Sequence, residues 1–361
     1  MNKKALRWTI FAIVLIGVIV ALSFILRPYF AGEKTIHPEV FRIGNFSIRW
    51  YGLLIALSFI PGIYVAYRMA QNWSINPDHV FNLAIICAPL GLIFARLFYC
   101  ALNWQYYSKY PAQILYLWQG GLSIYGVIFG GILGVLIYSL AGKVNFLRLL
   151  DLGAVPLLLG QAIGRWGNFF NQELFGYPTD LPWKMYIAPE YRPQKYMAYN
   201  YFHPTFLYES IYNFILFGVL YSLSRKKDLK PGVIVSIYFI AYGAFRFFLE
   251  FVRIEPSTVW FMSWGQVASL IAVIVGAVML FFIQKSKPVL VEIAAPAQES
   301  TEEASTGMES LKEGGSKPEI TAGIPTGERT EKEEGLTPSG PENAPAEEKP
   351  GKQEKTETGE N

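Results

Sequence analysis

GQAIGRWGNFFNQELFGY, residues 160–177, sets Arg165, Asn168, Asn171 and Glu173 among four glycines, directly after an apolar run. A second polar pair, Arg246 and Glu250, interrupts another apolar run about seventy residues later. Charged side chains inside a bilayer are expensive and tend to mark functional sites. The block therefore reads as one wall of a site in a helical membrane bundle, and the surrounding sequence bears on that reading.

The chain has 361 residues, 52% of them hydrophobic and 16% aromatic. Apolar runs of membrane-spanning length recur between residues 8 and 284. Eight are expected, at about 8–26, 51–69, 80–102, 114–140, 149–164, 206–223, 233–252 and 264–284. The fifth is short and is expected to enter at a slant. The fold class is an all-α polytopic membrane protein. Cys87 and Cys100 fall thirteen positions apart in one expected helix. That is about 20 Å, too far for a disulfide. His37, His79 and His203 are scattered, so no metal site is expected.

Net charge is unevenly distributed. Residues 288–361 carry 7 Lys and Arg against 17 Asp and Glu, and no aromatic residue, so this tail is expected to be disordered. The first run follows MNKKALR and reads as a retained anchor, with a cleaved signal peptide as the competing reading. With the N-terminus inside, the inner connections hold twelve basic residues against six in the short outer ones, which puts both termini in the cytoplasm. Residues 1–36 then form an anchor and linker, 37–287 the membrane domain and 288–361 the tail. A small extracytoplasmic cap is expected over about 165–205, rich in Tyr, Pro, Trp and Phe.

In this orientation RWYG (49–52), GGLSIYG (120–126), the 160–177 block, HPTFLYE (203–209) and Arg246 with Glu250 all fall near the outer side. Arg246 and Glu250 are spaced i,i+4, so they pair on one helix face, with Tyr238 and Tyr242 on the same stripe. A packing ion pair is the competing reading, though buried pairs need good geometry merely to break even. Arg165 suits a phosphate because its planar fork donates two bonds and stays charged. Gly164 and Gly167 would let the backbone bend or approach a ligand. Gly126, Gly130 and Gly134 form a helix-packing stripe. Tyr51 and Tyr125 are either hydroxyl donors or ordinary interface tyrosines, and His203 before Pro204 reads as structural. Arg96 is expected to meet an acid or a lipid headgroup. An enzyme acting on an anionic phospholipid and an anion or headgroup transporter both fit; the inverted repeats of many transporters are not visible.

The motifs resemble those of the bacterial prolipoprotein diacylglyceryl transferases over roughly residues 37–284. GRWGNFFNQELFG resembles the family's GRxGNFxNxExxG block, and RWYG, HPTFLYE, YGAFRFFLEFVR (242–253) and SWGQ (263–266) resemble its other recurring segments. The resemblance implies a seven-helix core, here with one extra N-terminal helix, in the bacterial plasma membrane with its active site toward the outer leaflet. It implies transfer of the diacylglyceryl group of phosphatidylglycerol to the lipobox cysteine thiol of a prolipoprotein, giving a thioether and releasing glycerol phosphate. Tyr51, Arg165, Asn168, Glu173, Gly176, Arg246 and Glu250 match by position residues important in the family, and Tyr51, Tyr125, Arg165, Asn168, Glu173, Arg246 and Glu250 become the catalytic candidates. Arg165, Arg246, Asn171, Gly176 and His203 become the headgroup-binding candidates. Where the family's GGxSxHG segment has a histidine, this chain has Tyr125, so the base is left among Tyr125, Glu173 and Glu250. Phosphatidylglycerol, lipobox signal peptides and membrane lipids are the implied partners, with no nucleic acid, cofactor or metal. A transporter using the same arginines, or a family member that only binds signal peptides, are the alternatives.

Overall fold

Seven of the expected apolar runs are helical in the computed structural model, which describes residues 17, 20–44, 46–117, 120–226, 228–254, 258–259 and 261–286. Most of the expected first span and all of the tail lie outside the described residues. The helix α1 (Val20–Phe30) is followed by the antiparallel strands β1 (Glu39–Ile43) and β2 (Phe46–Arg49). Then come α2 (Trp50–Asn72), α3 (Asp78–Leu102), the single turn α4 (Trp104–Tyr107), α5 (Ile124–Gly142) and α6 (Phe146–Asn171). Strands β3 (Met185–Tyr186) and β4 (Tyr201–Phe202) pair within the cap. The helices α7 (Thr205–Ser224) and α8 (Val233–Leu249) precede β5 (Thr258–Val259), β6 (Met262–Ser263) and α9 (Trp264–Lys285).

Among the described residues, six helices, α2, α3, α5, α6, α7 and α9, are long and apolar enough to cross a membrane. The chain is a multi-pass membrane protein. Large apolar side chains such as Ile60, Ile85, Leu140, Ile215 and Phe282 are exposed on these helices, a surface that lipid tails cover. Pro61, Pro89 and Pro156 lie inside spans, where packing against neighbouring helices compensates the lost backbone bonds.

Two expected boundaries are corrected. Among the described residues, the α-helix of the fourth run begins at Ile124. Residues 111–115 form a 3-10 turn, and the chain reaches α5 through Gly120 and Gly121, both at positive φ. The reason is Arg96, almost fully buried on α3. Its guanidinium donates to the carbonyls of Gln113 (2.5 Å), Ile114 (2.9 Å), Gly120 (2.6 Å) and Gly121 (3.0 Å). Among the described residues Arg96 therefore pairs with no acid; it supplies the hydrogen bonds that a non-helical segment cannot make to itself. The fifth run is longer than expected, because α6 continues as helix through GRWGNFFN to Asn171. The cap accordingly starts at Gln172, whose left-handed φ of 48° ends the helix.

Helix α6 is the centre of the bundle, packing against α2, α5, α7 and α8, while α3 pairs with α5 and α8 with α9. Val65, Met69, Leu152, Leu158, Leu220 and Ile234 join α2, α6, α7 and α8 in one apolar core. Asp151, wholly buried on α6, accepts the N–H groups of Gly232 (2.7 Å) and Val235 (2.8 Å). It satisfies two of the donors that every helix start leaves free and so fixes where α8 begins. SWGQ caps α9: Ser263 and Gln266 form a reciprocal capping box.

Candidate active site

Three chain ends meet above the core: the end of α6, the start of α7 and the end of α8. Backbone bonds stitch them together through residues 175–178. Gly176 N–H donates to His203 O (2.9 Å), Tyr177 N–H to Val252 O (2.9 Å), and His203 N–H to Tyr177 O (3.1 Å). Gly176 is required there, since a Cβ would lie 2.5 Å from Val252 O. Phe169, Phe175, Met185, Ile187, Phe202 and Phe206 fill the space beneath as a second apolar cluster. The helix ends that carry the polar motifs are thus held rigidly, as a preorganised site requires.

On this frame the charged residues converge. Arg165 Nη2 lies 2.6 Å from Glu209 Oε1, and Arg246 Nε lies 4.0 Å from Glu209 Oε2. Tyr242 Oη donates to Glu209 Oε1 at 2.9 Å. Arg246 also forms a close ion pair with Glu250, to which Arg253 Nη1 comes within 3.5 Å. The carboxylates are almost fully buried, whereas the side chains of Arg165 and Arg246 keep 22% and 15% of their surface open. Each buried carboxylate is therefore paired, as a low-dielectric site demands, and the two arginine side chains remain partly accessible.

A second arm continues along α6. Arg165 Nη1 donates to Asn168 Oδ1 (3.3 Å), and the amide nitrogens of Asn168 (2.9 Å) and Asn171 (3.1 Å) both donate to Glu173 Oε1. Glu173 itself is exposed. Gly167 neither bends nor breaks the helix. It admits the ring of Tyr51, which a Cβ at that position would meet at 2.2 Å. Tyr51 is thereby brought onto the same turns of α6 as Arg165 and Asn168.

The structure unites Tyr51, Arg165, Asn168, Asn171, Glu173, Arg246 and Glu250, but not the remaining candidates. Tyr125 lies on α5, half exposed, with no hydrogen bond to a described residue. His203 sits in the cap, where its Nδ1 meets Tyr208 Oη at 3.1 Å and Trp183 Nε1 donates to the same hydroxyl at 2.8 Å. Burial holds its imidazole below the ordinary histidine pKa. Gly176 takes part through its backbone alone.

Glu209 and Arg253 are the residues that sequence reasoning passed over. Glu209 ends HPTFLYE, and two arginines within or beside apolar runs call for an acid on a third element. Arg253 follows Glu250 by three positions, so the i,i+3 spacing was the available signal.

Residues 38–282 match the family model described as prolipoprotein diacylglyceryl transferase. A relative from Acaryochloris marina is 42% identical over 264 residues, covering 72% of this chain and 96% of its own length. One from Fervidobacterium nodosum is 38% identical over 282 residues, covering 78% and 97%. One from Thermosynechococcus vestitus is 42% identical over 240 residues, covering 66% and 90%. All three are named phosphatidylglycerol–prolipoprotein diacylglyceryl transferase.

Proposed function

The chain belongs to the prolipoprotein diacylglyceryl transferase family, and from that premise we propose that the arginine–glutamate cluster joining α6, α7 and α8 carries its reaction. The protein is a transferase that moves the diacylglyceryl group of phosphatidylglycerol to prolipoproteins, a step of lipoprotein maturation. The acceptor is the thiol of a lipobox cysteine. Its sulfur forms a bond to the terminal glycerol carbon of the diacylglycerol unit, the carbon–oxygen bond to phosphate breaks, and glycerol phosphate leaves with the bonding electrons.

The observation that carries this reading is the convergence of Arg165 and Arg246, from different helices, on one carboxylate. Negative charge grows on the departing phosphate, and fixed donors aimed at developing charge are the usual largest source of rate acceleration. Glu209 holds both guanidinium groups in place until the phosphodiester takes up their open donors, and Tyr242 fixes Glu209. The thiol must lose its proton to become a competent nucleophile. Glu173 is the favoured acceptor, because it is exposed and Asn168 and Asn171 fix one of its oxygens. Glu250 is buried between two arginines, and Tyr125 lies outside the cluster.

The test incubates purified protein with phosphatidylglycerol and a lipobox peptide, and weighs the peptide by mass spectrometry. Native protein adds one diacylglyceryl group. Glu173→Gln is expected to lower the rate by about 10²–10⁴, the range of a lost general base. A native protein that leaves the peptide unmodified removes the assignment of the cluster, and a Glu173→Gln variant with full turnover removes Glu173 as proton acceptor.

A further inference from the structure

Contacts between α6 and α7 fix their register. Arg165 pairs with Glu209, and Ser210 Oγ donates to Ala162 O at 2.8 Å, so the α7 number rises as the α6 number falls. The helices are antiparallel. One turn deeper, the same register sets Gln161 opposite Asn213. Helix α8 runs alongside with a matching offset: Tyr242 donates to Glu209, and Tyr238, one turn earlier, receives Gln161 Nε2 at 2.9 Å. The rings of Tyr238 and Tyr242 stack with centroids 5.5 Å apart. Beneath the layer of Arg165, Glu209 and Tyr242 there is therefore a second polar layer of Gln161, Asn213 and Tyr238.

The two layers differ in how their hydrogen bonds are met. Glu209 receives donors from both neighbouring helices. In the deeper layer Gln161 Oε1 and both Asn213 Oδ1 and Nδ2 are buried with no bond to a described protein group. Asn213 is wholly buried. Next along α7, the buried residues are Leu216 and Leu220, so the following two turns of this helix add no buried polar partner. A buried polar atom left without a partner destabilises the fold, and a buried polar site of this kind is what internal water ordinarily serves.

We propose that Gln161, Asn213 and Tyr238 form a water-binding site one helical turn below the arginine cluster. Water there accepts from Asn213 Nδ2 and donates to Asn213 Oδ1 and Gln161 Oε1, leaving Gln161 Nε2 on the tyrosine. Its link to the cluster is short: Gln161 to Tyr238, the stacked ring to Tyr242, and Tyr242 to Glu209. Asn213 is thus a positioning residue for Glu209, a role that rests on the proposed function, whereas the presence of water does not.

Radiolytic labelling of the full-length protein in ¹⁸O water tests the site directly, because hydroxyl radicals formed from bound water mark the side chains beside it. Tyr238 is expected to take up ¹⁸O in the native protein despite its burial, with exposed Tyr199 as the positive control. Asn213→Leu is expected to abolish that label and to raise the KM for phosphatidylglycerol by about tenfold, the equivalent of one lost hydrogen bond. Asn213→Ser, which keeps a donor and an acceptor, is expected to retain the label. A native protein in which Tyr199 is labelled and Tyr238 is not overturns the proposal, whether or not the leucine variant folds. An unchanged KM in a folded, unlabelled Asn213→Leu protein leaves the water but overturns the positioning role.

Discussion

Glu250 shows how closely single atoms are constrained at this site. A Cβ on Gly265 would lie 2.4 Å from Glu250 Oε1, so the glycine of SWGQ exists to make room for the carboxylate. Gly265→Ala is expected to push Glu250 away from Arg246 and Arg253 and to slow transfer at least tenfold. The overpacking would cost about 1–3 kcal/mol of stability, which leaves the fold intact. Gly131→Ala is the control, since nothing lies within 4 Å of its would-be Cβ. It should be neutral or, by helix propensity, stabilising by up to ~1 kcal/mol. Transfer rates and melting midpoints of the two variants check both statements. At this scale the sequence was informative about residue types but not about pairing. Arg246 and Glu250 were legible because i,i+4 spacing is local. Glu209 was not, because its partners come from helices far away in the sequence.

Among the elements, α3 and α5 form the closest pair. A Cβ on Gly126 or Gly130 would meet the carbonyl oxygens of Phe94 and Leu90 at 2.2 and 2.5 Å. The glycine stripe read from the sequence is therefore a backbone-to-backbone contact. The loop that leads into α5 depends on Arg96 and its four carbonyl acceptors. A lysine carries the same charge on one nitrogen with three donors and cannot span that fork. Arg96→Lys is expected to free residues 111–121, seen as faster proteolysis of that segment, while the α6–α7–α8 cluster keeps its geometry. Equal cleavage rates in the two proteins would contradict this role. The sequence could not show where α5 begins, because residues 114–123 are apolar enough to continue a span. What stops the helix is a side chain on another element.

For the molecule as a whole, α1 precedes the residues matched by the family and yet packs against the site's supports. Phe30 stacks on Phe169 at 5.8 Å and contacts Phe206 at 6.3 Å, which ties it to the end of α6 and the start of α7. Phe30 is only partly buried, so Phe30→Ala is expected to cost roughly half of the ~3–5 kcal/mol of a fully buried phenylalanine. Limited proteolysis of residues 172–204 is the measurement, with an increased rate expected. The charge asymmetry supports an orientation in which the cluster faces the extracytoplasmic side. A cysteine placed at Tyr199 should then react with an impermeant maleimide in intact cells, and one placed at Lys143 should not. The reverse pattern would invert the topology.

The sequence alone determined that the chain is a helical membrane protein, which polar residues interrupt its apolar runs, and which recurring motifs they belong to. These follow from composition, run length and local spacing, all of which a linear reading contains. The tertiary structure decided the rest. It continued the 160–171 segment as helix and ended it at Gln172, turned Arg96 into a loop clamp, and made Glu209 the acid between Arg165 and Arg246. The physical reason is common to the last two. A buried charge must find its partner within hydrogen-bond reach, and only the packing of distant helices determines which residue that is. GRWGNFFNQELFG accordingly forms the polar end of α6 and the turn that follows it, and its Arg165 meets the charged residues of α7 and α8.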